Sequence, residues 1–163
     1  MNGAHFHLVV NHLPIVGVII GALVMVAGFL AKQKQVKQTA LGIYIFSAIT
    51  SIIAFLSGEG AEETVESISG ISETLIHIHE EYAETFLVLS IILGVVSIIS
   101  LYLSIKNHKF SKYGNIITLI LALSLVFVGK LVGTSGGEIR HSEIRSTNVI
   151  STEGHSSYDE DDD

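Results

Sequence analysis

Four apolar stretches, residues 13–31, 41–56, 85–105 and 114–132, contain one charge between them, that of Lys130. Each is near the roughly 20 residues that a helix needs to cross about 30 Å of hydrocarbon. The second is short, and gains length from Thr39 and Ala40 at one end and Ser57 and Gly58 at the other. Lipid offers no hydrogen bonds to a backbone, so runs of this kind read as transmembrane helices. Charged residues make up only 15% of the chain, against about 25% in soluble domains, and the mean hydropathy of +0.56 agrees. The expected fold is all-α: an integral membrane four-helix bundle over residues 1–142, then a flexible acidic tail over 143–163 that ends in Tyr158-Asp159-Glu160-Asp161-Asp162-Asp163.

Charge gives the orientation. Lys32, Lys34 and Lys37 lie between the first two runs, and Lys106, Lys109 and Lys112 between the last two. By the positive-inside rule both short loops face the cytoplasm. The connection 58–84 holds eight glutamates and no lysine or arginine, so it lies outside with both termini. The expected location is the inner membrane of a bacterium, with periplasmic ends. Within that connection Val65, Ile68, Ile71, Leu75 and Ile78 recur at helical spacing, which predicts an interfacial helix interrupted near Gly70. The first apolar run is too long for a signal peptide and lacks a basic leader, so it is expected to be retained.

A pattern occurs twice. His5-Phe6-His7 precedes the first run and Ser57-Gly58-Glu59-Gly60 follows the second; His77-Ile78-His79 precedes the third and Ser135-Gly136-Gly137-Glu138 follows the fourth. Two hairpins in the same orientation are what a parallel membrane repeat would produce. Small residues line one face of each helix: Gly17 and Gly21, then Ser47, Ser51 and Ala54, then Ala83, Ser90, Gly94, Ser97 and Ser104, then Thr118, Ala122, Gly129 and Gly133. Such stripes permit close helix packing or a flat cofactor.

Cysteine is absent, which excludes disulfides, thiolate zinc, covalently attached haem and cysteine-bound clusters. Histidine is the remaining ligand type. Seven of eight, all but His108, fall on the outer side: His5, His7, His12, His77, His79, His141 and His155. An imidazole at a helix end is ordinarily a polar end group, but a one-sided set points to metal or proton chemistry. Pro14 suits the first turn of a helix, placing Asn11 or His12 at its mouth. A helix reaching back to residue 5 would put His5 and His12 on one face and His7 on another. Lys130 snorkels at the outer end of the last run, or balances a haem propionate or Glu59; Arg140 and Arg145 are further counter-charges.

These residues resemble a bacterial family of four-span membrane proteins catalogued as domain of unknown function 2231. Its opening motif, approximately H-P-x-x-V-H-F-P-I, is similar to His7-Leu8-Val9-Val10-Asn11-His12-Leu13-Pro14-Ile15. Its glycine-rich ending, of the type G-x-x-G-G-x-L-V-x-x-H, is similar to Gly133-Thr134-Ser135-Gly136-Gly137-Glu138-Ile139-Arg140-His141. The likeness covers residues 5–142. Leu8 replaces the first proline, Leu13 the phenylalanine, and the last histidine, after Arg140, comes early. The resemblance implies a haem-associated or redox-associated protein using His7, His12, His79 and His141.

Three functions follow as expectations. The first is a b-type haem protein that transfers electrons at the outer face, with His12 and His79 as the first axial pair, His7 and His141 as the second, and one or two haems. Lys130 and Arg140 would sit near the cofactor, and the partner would be a periplasmic cytochrome, a quinol or a larger respiratory complex. The second is a copper, zinc or iron site made of the same four histidines, with Glu80 or Glu59. The third is a cofactor-free accessory subunit that contacts lipid and a larger complex. No residue pattern identifies an enzyme substrate, and no nucleic-acid partner is expected.

Overall fold

The computed structural model describes residues 2–66 and 71–145, and every regular element among them is helical. The helices are α1 (Gly3–Val10), α2 (His12–Leu30), α3 (Lys34–Leu56), α4 (Gly58–Glu66), α5 (Glu73–Ile105) and α6 (Ser111–Arg140), followed by a 3-10 turn at Ser142–Ile144. Four columns are long and apolar enough to cross a membrane: α1 continued by α2, then α3, α5 and α6, with mean hydropathy of 2.0 to 2.7 in their apolar windows. α2 pairs with α3 and α5 with α6, and the α3–α5 seam joins the two hairpins.

The helices outrun the apolar stretches. α3 begins at Lys34 and α5 at Glu73, because the helical backbone satisfies itself wherever the side chains turn polar. At 1.5 Å per residue α5 is about 50 Å long, well beyond a bilayer core.

Packing is inverted relative to a soluble core. Ser47, Ser97 and Thr118 are fully buried, whereas Leu23, Ile120 and Phe127 are mostly exposed. Buried hydroxyls are returned to the helix itself, as in Ser47 Oγ to Ile43 O at 2.9 Å and Thr118 Oγ1 to Asn115 O at 3.0 Å. Small residues let backbones approach where lipid gives no hydrophobic drive between helices. Gly17 and Gly21 face Ser47 and Tyr44 of α3, Gly94 faces Ala48, and Gly129 faces Phe86 and Ile15. Gly133 departs from the expected stripe: it is exposed, with open space where a Cβ would stand.

The two hairpins turn in the same way. Lys32 and Asn107, at φ 54° and 53°, each end a helix in the left-handed conformation. Lys32 N–H donates to Phe29 O and Gln33 N–H to Gly28 O; Asn107 N–H donates to Ser104 O and His108 N–H to Leu103 O. Both are Schellman closures. The strain differs, since asparagine tolerates this region better than lysine. Lys32→Gly is therefore expected to stabilise the protein by about 1 kcal/mol, a rise of roughly 2–4 °C in the thermal midpoint. Asn107→Gly should gain less, and a larger gain there would contradict this account.

Two local expectations change. The helix between the second and third columns is α4, earlier than the predicted pattern; Ile71 is not helical, while Leu75 and Ile78 belong to α5. Ile68 and Gly70 lie outside the described residues, as do 146–163 of the tail. Pro14 does not stop the first column: Asn11 keeps helical angles and its N–H donates to His7 O at 2.9 Å. Proline removes only its own N–H, and the column runs on past the single bond that this N–H would have made.

Candidate functional site

Because α1 continues into α2, the inward face of the first column runs from His7 through Asn11, Pro14 and Val18. His5 and His12 fall on the exposed side. His7, half-buried, is the imidazole turned toward the bundle. Its Nδ1 lies 3.1 Å from Ala54 O and 2.9 Å from Ser57 Oγ, at the end of α3. Ser57 Oγ itself donates to Ala54 O at 2.7 Å. A carbonyl only accepts, so the proton is assigned to Nδ1 and Nε2 carries the lone pair.

The second hairpin builds the same clamp. His79, half-buried in the first part of α5, places Nδ1 at 3.1 Å from Ser135 Oγ near the end of α6. Ser135 Oγ donates to Val132 O at 3.1 Å. In each hairpin the hydroxyl bonds the carbonyl three residues earlier and is followed by a glycine beside the ring. A Cβ on Gly136 would stand 3.0 Å from His79 Cε1, and one on Gly58 would stand 4.0 Å from His7 Cε1. The repeated sequence pattern is thus a repeated hydrogen-bonding unit.

Both clamps lie at the same end of the bundle, where the first column and α5 begin and α3 and α6 end. Measured from the equivalent left-handed turns, His7 and His79 differ in height by roughly 5 Å and His12 and His79 by roughly 12 Å. The geometry therefore groups His7, not His12, with His79. Asn11, one turn beyond His7 on the same face, has a buried amide oxygen without a protein partner.

His141 stands apart. It caps α6, is exposed, and pairs with Glu143 Oε1 at 2.9 Å. Bonds from its own backbone N–H and from His141 hold the Glu143 carboxyl below the usual carboxylate range. Arg145 Nε donates to Glu138 O at 3.0 Å, closing the end of α6. Lys130 and Arg140 are exposed.

Sequence reasoning noticed Ser57 and Ser135 in the repeat without giving them a role. The signal was their matched place opposite a His-x-His. It missed Glu62, on α4, which hydrogen-bonds Glu80 of α5; loss of solvation, then the Glu80 charge and that bond, push the Glu62 carboxyl above its ordinary value.

Compared with known proteins, the chain matches no family model, no curated protein and no solved structure.

Proposed function

We propose that this membrane protein holds a b-type haem between His7 and His79 and transfers single electrons at its histidine end. One observation carries the reading: two imidazoles from separate hairpins, each with Nδ1 tied to a serine hydroxyl, that of His7 also to a carbonyl, and with no protein hydrogen bond at Nε2 among the described residues. Fixing the tautomer and ring plane in this way is how proteins prepare histidine ligands. The donor set suits haem, which asks two ligands of the protein, better than zinc or copper, which ask three or four. Among the described residues no three imidazole or carboxylate groups converge. When bound, haem would supply a one-electron couple at iron. Ser57 and Ser135 orient the rings, and Asn11 offers an acceptor on the His7 face. Membership of the four-span family named above belongs to the same proposal. The test is the optical spectrum of protein purified in mild detergent from cells supplied with haem. A Soret band with sharp α and β bands on reduction is expected, and a colourless preparation overturns the reading.

The orientation belongs to the proposal as well, with the histidine end periplasmic. Cysteines introduced near Glu66 and Ser151 should react with an impermeant reagent in intact cells. Those near Lys34 and Lys109 should react only after the membrane is opened. Reversed labelling would place the histidines in the cytoplasm.

A further inference from the structure

The opposite end of the bundle is electrically one-sided. Residues 1–58 and 85–137 contain no aspartate or glutamate, so the six lysines of the two hairpin loops have no acidic neighbour in their own segments. Lys34, Lys37 and Lys112 from both hairpins line one cleft of about 230 Å³, together with Ser104, Ser111 and Asn115. That volume is several times the ~30 Å³ share of a water molecule. Two helices, α3 and α6, begin there, and neither has a side-chain cap or an acidic residue in its first turn.

Asn115, only 3% exposed, also lines the cleft; its amide oxygen has no partner, and its N–H2 is the group that can donate to an occupant. Lys34 Nζ is already turned across the hairpins to Asn107 Oδ1 at 2.6 Å, and Lys37 Nζ lies 5.3 Å from the Phe29 ring centroid, so two of the cations are held at the rim. Convergent ammonium, hydroxyl and amide donors, with no acceptor charge among them, match an anion that carries several oxygens.

We infer that this cleft binds a phosphate group, supplied by a phospholipid headgroup or by free phosphate. Basic pockets between membrane helices receive headgroups in this manner.

The test uses the full chain in nanodiscs and reads thermal unfolding. One arm titrates inorganic phosphate against chloride at equal ionic strength in phosphatidylcholine. The other replaces part of the phosphatidylcholine by phosphatidylglycerol without added phosphate. Stabilisation in the first arm assigns free phosphate, and stabilisation in the second alone assigns the headgroup. In either case Lys37→Gln and Lys112→Gln should each weaken binding roughly fivefold, the factor equal to about 1 kcal/mol per lysine. Asn115→Leu, which leaves the charge unchanged, should weaken it too. Lys106→Gln removes the same charge outside the cleft and should change little. Equal weakening by Lys106→Gln and Lys37→Gln would mean a diffuse positive surface and overturn the site. So would the absence of stabilisation in both arms.

Discussion

His79→Ala is expected to abolish the low-spin haem spectrum, and His7→Ala to abolish it or convert it to a high-spin one. Each substitution removes one of the two imidazoles whose Nε2 is left open; the chain has no cysteine, and the described residues hold no third clamped histidine, to replace it. The effect on cofactor retention should be near complete. Ser57→Ala and Ser135→Ala keep the ligand and lose its tether, for which a loss of roughly 10–100-fold in affinity is typical. Added imidazole should restore the spectrum of His7→Ala, because it supplies the missing ligand without the helix. A variant that had merely unfolded would not respond. His12→Ala, His141→Ala and His108→Ala should leave the bands in place, the last because it stands a membrane thickness away. Loss of the spectrum in His12→Ala with retention in His7→Ala would restore the pairing that the sequence first favours.

The choice between His7 and His12 shows what a sequence can and cannot carry. The four columns were legible because lipid demands long uncharged runs, and inward faces because Ser47, Ser51, Ser90, Gly94 and Thr118 recur at helical spacing. The doubled order of His-x-His and Ser-Gly was legible too, and became two clamps. Which histidine turns inward was not. It depends on whether the chain stays helical across Asn11, with α1 seated against α4. Gly3 lies so close to Gly60 of α4 that no side chain fits between them. α4 was itself displaced from its predicted place, so its support for α1 could not be read. The phosphate cleft was hidden for a related reason: the last apolar run begins at Gly114, which separates Asn115 from the lysines that the folded hairpins bring to it.

The second large effect is expected at the seam between hairpins. A Cβ added to Gly94 of α5 would stand 2.6 Å from the Cβ of Ala48 on α3, with no other non-local atom within 4 Å. A methyl on alanine cannot rotate aside, so the helix backbones must separate. Gly94→Ala should cost roughly 1–3 kcal/mol, the range for an overpacked core, and this exceeds any gain of about 1 kcal/mol in helix propensity. Gly94→Leu should cost more and release the hairpins from each other, read as early unfolding in a denaturing-detergent titration. Gly42 and Gly133 give the contrast, since nothing lies within 4 Å of a Cβ at either. Leucine at those positions should be neutral or stabilising by up to about 1 kcal/mol. The decisive measurement is the double variant: Ala48→Gly removes the opposing methyl and should recover most of what Gly94→Ala loses, a coupling that distant sites do not show. Additive losses would mean that α3 and α5 do not meet at this point, and the hairpins would have to pack along another seam.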